Sequence, residues 1–213
     1  MVALRWALGA LVLVLAAVAG ALLLVGRPHP TASADAAPVS DAPAATWRAG
    51  TRPAPGFRLA DERGRPVSLA AFRGRPVIVT FIDPLCRDYC PTEAQHLNDV
   101  VRAFPAAQKP AIVAVSVNVA GNARTNLLED RHKWSLVPEW RWAVGDAAAL
   151  APVWRRYGIE VITSTRKVAG VELRRVVHTE AAYVVDRRGD ERAIFLWPYS
   201  AKGMIATLRS LSS

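Results

Sequence analysis

Only two of the 213 residues are cysteine, Cys86 and Cys90, and they stand at i and i+4. Outside the cytoplasm such a pair oxidises unless a metal or a reductant keeps it reduced. Acidic residues are also scarce, 18 against 27 Lys and Arg, for a formal net charge of +9. The basic residues are scattered and read as a solvated surface that would also be drawn to anionic lipid headgroups or an acidic partner. No stretch interleaves aromatic and basic residues, which excludes a nucleic-acid module. No internal repeat recurs, which excludes a repeat architecture. Between Trp6 and Gly26 there is no charged residue at all.

That uncharged run is long enough to span a bilayer, since ~20 apolar residues at ~1.5 Å rise cover a ~30 Å hydrocarbon core. A cleavable signal peptide, with Ala32-Ser33-Ala34 as its cleavage site, is the rival reading, but its apolar region runs only ~7–15 residues. Residues 1–26 are therefore expected to be a transmembrane anchor. Residues 27–56, rich in Pro and Ala without a periodic apolar face, read as a disordered tether. Residues 57–213 read as one globular domain, on the extracytoplasmic side of a single-pass cell-membrane protein and monomeric. Either reading of the N-terminus takes this domain out of the cytoplasm.

Within 57–213, Phe57 to Leu59 and Pro66 to Leu69 flank a turn at Asp61 to Gly64 and read as a hairpin. Pro76 to Phe81 is a continuous β-branched run suited to a strand buried on both faces. Pro91 marks the first turn of a helix, behind which Leu97, Val100, Val101 and Phe104 recur at helical spacing. A strand at Ile112 to Val117, a helix at Ala123 to Trp134 and a short strand at Trp140 to Val144 follow. Asp146 caps a helix with Leu150, Val153, Trp154 and Tyr157 on one face. A hairpin at Ala182 to Val185 and Ala193 to Leu196 and a helix at Lys202 to Leu211 end the chain. This order gives an α/β protein of thioredoxin-like fold: a central mixed sheet flanked by helices, an extra N-terminal hairpin and the N-terminal transmembrane helix.

Cys86 and Cys90 thus lie in the turn feeding a helix, where unpaired N–H groups and the macrodipole favour thiolate. Three intervening residues, Arg87-Asp88-Tyr89, can hold two sulfurs splayed around an ion or close into a disulfide. Soft thiolates favour Cu(I) and an added imidazole suits Cu(II), whereas zinc wants a fourth ligand with no obvious candidate. An inert disulfide would close a very small loop, which chain entropy rewards least.

Phe57-Arg58-Leu59, Gly64, Val67-Ser68-Leu69, Phe72-Arg73-Gly74, the run Val77 to Phe81, and Cys86-Arg87-Asp88-Tyr89-Cys90-Pro91-Thr92 together resemble the opening of Sco/SenC proteins. His178-Thr179-Glu180-Ala181-Ala182-Tyr183-Val184-Val185-Asp186 resembles their second signature. The resemblance implies a copper chaperone whose ligands are Cys86, Cys90 and His178, with copper as Cu(I) or Cu(II). It implies a role in building the copper centre of cytochrome c oxidase, with the copper-bearing subunit or its assembly factors as partners. Cys86 and Cys90 are also the expected redox-active pair, able to form a disulfide.

The segment Ser116 to Gly121 departs from the Asp-Pro and Arg-Asp-Thr-Pro pattern of many members. No proline precedes His178 where thioredoxin-like oxidoreductases place one. A membrane-anchored thiol-disulfide reductase using Cys86 and Cys90 is the enzyme alternative, and an interaction module without chemistry is a third. Peroxiredoxins need a Thr or Ser and a Pro where this chain has Asp83 and Val79. His29, His96 and His132 read as solvated or surface residues, and Trp134, Trp140, Trp142 and Trp154 as core or core edge.

Overall fold

The computed structural model describes residues 38–211. The expected anchor and residues 27–37 of the expected tether lie outside the described residues, among which no helix is long and apolar enough to cross a membrane.

The β-branched run forms β4 (Val77–Ile82), every residue of which is buried. It lies at the middle of a six-stranded sheet ordered β1-β10-β9-β4-β5-β6. Here β1 is Ala45–Thr46, β5 is Ala111–Ser116, β6 is Trp140–Ala143, β9 is Ala181–Val185 and β10 is Glu191–Leu196. The pairs β4–β5 and β5–β6 are parallel, whereas β4–β9, β9–β10 and β10–β1 are antiparallel. Strand alternation splits the core in two. Ile78 and Ile82 face one cluster with Leu97, Trp140 and Trp142, and Val77, Val79 and Phe81 face another with Leu150, Val153 and Tyr157.

The first face is covered by α1 (Cys90–Arg102) and α4 (Ala201–Ser210), with Leu127 of α2 (Arg124–Lys133) contributing. The second face is covered by α3 (Ala147–Arg156) and by a small hairpin, β2 (Arg58–Ala60) with β3 (Pro66–Ser68). Asp146 caps α3 as expected, its carboxylate accepting the Ala149 N–H at 2.8 Å. Within residues 57–211 the helices and strands named from the sequence are all present, with ends moved by one or two residues.

Two features differ from the expectations. The tether reading is corrected for residues 38–56, which belong to the same compact unit as the rest of the domain. There β1 extends the sheet beside β10, the Arg52 guanidinium pairs with the buried Glu191 carboxylate, and Asp41 packs against Gly203 so closely that a β-carbon there would overlap its carbonyl. Secondly, between α3 and β9 stands an unanticipated hairpin of β7 (Val161–Val168) and β8 (Val171–His178). Its turn places Ala169 at φ 48° and Gly170 at φ 83°, the left-handed pair that a two-residue turn of this hand demands.

Candidate metal and thiol site

Parallel α/β sheets gather functional loops at the carboxyl ends of their strands. The cysteine loop begins at that end of β4, directly after Ile82. Because β9 runs antiparallel to β4 with Thr80 opposite Ala182, its approach at Glu180 reaches the level of Ile82. His178, the last residue of β8, is therefore delivered to the same sheet end as the cysteines by topology, although 88 positions separate it from Cys90.

Cys90 is the first residue of α1 and is buried, while Cys86 is half-buried, and both are free thiols. The Cys90 thiol donates to the Cys86 sulfur, and the N–H groups of Cys90 and Asp88 add to it. Together they hold Cys86 down at about 6, against burial and the Asp83 charge. The same shared proton, with burial, pushes Cys90 far above the ordinary thiol range. Cys86 is thus a thiolate at neutral pH and Cys90 a thiol.

Three carboxyls, Asp83, Glu93 and Glu180, bear on this pair, and a fourth, Asp130, meets the neighbouring Arg87. Asp83 turns back to accept the Leu85 N–H at 2.7 Å, shaping the loop. Glu93, one turn into α1, is wholly enclosed and accepts hydrogen bonds from Thr80 Oγ1 and Tyr199 Oη, each at 2.8 Å. Burial raises it to about 7, outweighing those bonds. Burial and the Glu93 charge likewise raise Glu180 to about 7. The Glu180 charge, in turn, raises the half-exposed Tyr89 phenol. Asp130 of α2 lies under the loop, 3.3 Å from Nη1 of Arg87, and burial raises it to about 6.

The His178 ring is enclosed. Its Nδ1 lies 3.0 Å from the Thr179 carbonyl and its Nε2 3.9 Å from Oε1 of Glu180. Nδ1 therefore carries the proton and donates it to the carbonyl, leaving the Nε2 lone pair toward Glu180. Burial lowers its pKa, opposed by the Thr179 carbonyl and Asp83, so the ring is neutral.

Of the three expected ligands, the fold brings Cys86 and Cys90 together but leaves His178 outside a common cluster. Among the described residues no three His, Cys, Asp or Glu side chains converge as metal ligands. The cysteine loop opens on a cleft of about 370 Å³ walled by Leu85, Tyr89 and Arg174 to Val177 of β8. His178 lines a separate cavity of about 140 Å³ with Glu160 and Thr179, and Val177 borders both.

His96 is not free: its Nδ1 lies 3.0 Å from the Tyr199 carbonyl and its ring packs on Trp197. His132 is exposed. Trp134, Trp140 and Trp142 are core residues, and the Trp154 indole donates to the Ser116 carbonyl at 2.9 Å. Sequence reasoning missed Glu93, Asp130 and Glu180. The signal present for Glu93 was its place one turn after Cys90 on the apolar side of α1.

A sequence profile described as SCO1/SenC matches residues 47–213. No curated protein matches the chain at a significant level. Among solved structures, copper-bound ScoI of Bradyrhizobium japonicum is 24% identical over 74% of this chain and 98% of its own, with a TM-score of 0.63. Apo Sco1 of Thermus thermophilus is 24% identical over 79% and 99%, with a TM-score of 0.62. BsSco, described with a disulfide switch and as a member of the Sco family of cytochrome c oxidase assembly proteins, is 18% identical over 79% and 98%, with a TM-score of 0.60. These likenesses establish the shared fold.

Proposed function

Because the chain belongs to the SCO1/SenC family, we propose that it is an extracytoplasmic copper chaperone that binds one copper ion through Cys86, Cys90 and His178. In this reading residues 1–26 anchor a monomeric domain in the cell membrane. The cargo goes to the copper centre of cytochrome c oxidase, through its copper-bearing subunit or an assembly factor. One observation carries the reading: two free cysteines stand at the mouth of α1, at the sheet end where β8 finishes with His178.

The donors fit copper in kind. Two sulfurs favour Cu(I), and a neutral imidazole with its Nε2 lone pair free adds a ligand suited to Cu(II). The hydrogen bond at Nδ1 fixes the tautomer that coordination at Nε2 requires. Coordination by both sulfurs displaces the proton they share, so uptake releases a proton at neutral pH. The imidazole must also turn or travel with the end of β8, because it does not meet the sulfurs in this arrangement. Delivery then proceeds by ligand exchange, target thiolates replacing Cys86 and Cys90 in turn.

Anaerobic titration of the reduced protein with Cu(I) and with Cu(II) tests this, beside Cys86→Ser, Cys90→Ser and His178→Ala. A saturable one-to-one complex weakened in every variant is expected. Unchanged copper stoichiometry and affinity in His178→Ala would remove the histidine from the site.

The inequality of the two thiols favours one further reading, a membrane-anchored thiol-disulfide reductase. Cys86 would attack a disulfide and Cys90 would resolve the mixed disulfide. Turnover of a protein disulfide that survives His178→Ala, without any stable copper complex, would establish the reductase in place of the chaperone.

A further inference from the structure

The β7–β8 hairpin leaves the domain with nothing covering it. All residues from 162 to 175 are exposed, and only Val161 and Val176 at its base pack on the core. A two-stranded ribbon is marginally stable in water by itself, so an exposed one of this length is built to meet something.

Its two faces differ. Cross-strand partners project to the same side and successive pairs alternate. The register therefore puts the pairs Val168 with Val171, Arg166 with Leu173, Ser164 with Arg175, and Ile162 with Val177 on one face. Every large exposed apolar side chain of the hairpin, Ile162, Val168, Val171, Leu173 and Val177, falls on that face, each 42–60% exposed. Two arginines share it. The opposite face carries Lys167 with Glu172 and Thr165 with Arg174. The ribbon has four basic residues against one acid, and its turn, Val168 to Val171, has no charge.

The point where the chain enters the domain gives this surface a direction. The Ser40 N–H donates to the Pro198 carbonyl at 3.1 Å, and the Trp197 N–H donates to the Glu180 carbonyl at 3.1 Å. Residues 38–40 therefore join the sheet at the end that holds Glu180, the cysteine loop and the base of the hairpin. The uncharged run ends at Gly26 and the packed segment starts at Pro38. The 11 residues between them span at most about 40 Å. An anchor at 1–26 thus keeps that end of the domain within reach of the bilayer surface.

We infer that the hairpin is a membrane-docking element: its uncharged turn and apolar face enter the headgroup region of an anionic bilayer, and Arg166, Lys167, Arg174 and Arg175 engage lipid phosphates. Docking would lay the cleft at Cys86 against the membrane surface, where a membrane-held acceptor presents its own ligands. The inference rests on the anchoring part of the proposed function and is independent of copper.

The test uses the full chain assembled into lipid nanodiscs, of phosphatidylcholine alone or with a third of phosphatidylglycerol, and trypsin cleavage after those four basic residues followed by mass spectrometry. Docking predicts cleavage at least tenfold slower in the anionic discs than in detergent, little protection in the neutral discs, and loss of protection in Val168→Asp/Val171→Asp. Both substituted residues are exposed, and near-ultraviolet dichroism of the buried tryptophans verifies the fold. Equal cleavage in anionic discs and detergent overturns docking while incorporation in both discs leaves the anchor standing. Protection in anionic discs without incorporation in neutral ones supports docking and removes the anchor. Failure to associate with either disc overturns both, and protection in detergent that grows with protein concentration overturns docking in favour of a second copy of the chain.

Discussion

Arg87, next to Cys86, holds its Nη1 3.3 Å from Oδ1 of Asp130, a carboxylate with no solvent exposure. The pair ties the cysteine loop to α2. Removing the cation leaves a buried charge alone, which costs several kcal/mol for a fully enclosed pair and less here because Arg87 is about half exposed. Arg87→Gln should lower stability by about 1–2 kcal/mol at pH 8. Asp130 sits at about 6 in the folded protein, above its ordinary 3.8, so below about pH 5 it is protonated and needs no partner. The loss should therefore shrink as pH falls, as thermal unfolding of both proteins at pH 5 and pH 8 will measure. Equal losses at both values would mean that the ion pair does not stabilise the loop.

The bond from Cys90 is the main reason Cys86 titrates at about 6. Alkylation of the reduced protein by iodoacetamide should fall on Cys86 and follow a midpoint near that value. In Cys90→Ala the midpoint should climb toward the ~8.5 of a free thiol. Mass-spectrometric rates between pH 5 and 9 provide the comparison, and a midpoint unmoved by the substitution would assign the shift to the helix N-terminus alone.

Glu93 has a folded value of about 7 against 4.5 when exposed. The folded state therefore binds the proton more tightly. Its contribution is fully present below about pH 4.5 and is lost as pH rises through about 7. Glu93→Gln retains an acceptor for Thr80 and Tyr199 but cannot ionise. Its stability relative to the parent should be near zero at pH 4.5 and should reach about 2–3 kcal/mol in its favour at pH 8. Denaturant unfolding at both pH values is the measurement, and a flat difference would show that Glu93 keeps one protonation state throughout.

Gly121 lies beneath the cysteine loop, where a β-carbon would stand 2.9 Å from Cβ of Pro84 and 3.1 Å from Cγ of Leu85. Gly121→Ala must push that loop outward. The expected result is a changed Cys86 alkylation midpoint with a stability loss of about 1–3 kcal/mol. An unchanged midpoint would show that Pro84 and Leu85 yield without moving the sulfur.

The legible parts of the fold were those written in periodicity. β4 and β5 are apolar runs interrupted only by Thr80 and the terminal Ser116, α1 repeats its apolar residues at helical spacing, and Pro91 marks the turn that holds Cys90. The β7–β8 hairpin escaped because its turn is Ala169-Gly170. Alanine at a positive φ leaves no trace of the Asn-Gly or Asp-Gly kind. Residues 38–56 escaped because they attach by isolated backbone bonds from Ser40, Ala44 and Trp47 and by the Arg52 to Glu191 pair. None of these produces a repeating pattern. Asp130 looks like the solvent-facing acid of any helix until the neighbouring elements enclose it, and Glu93 is marked only by its place on the apolar side of α1. The cysteine pair at the mouth of α1 was legible from Pro91, but the direction of the His178 ring depends on Thr179 and Glu180, which no spacing rule addresses.

β1 consists of only two residues, yet it occupies the outer side of β10. A shortened protein starting at Phe57, where the periodic pattern begins, would strip that cover and expose a row of unpaired amides and carbonyls beside the apolar residues of β10. Such a fragment would present other copies with a ready template for strand addition, and precipitation would follow from the lost edge even with Cys86, Cys90 and His178 intact. Preparations beginning at or before Pro38 keep the edge closed.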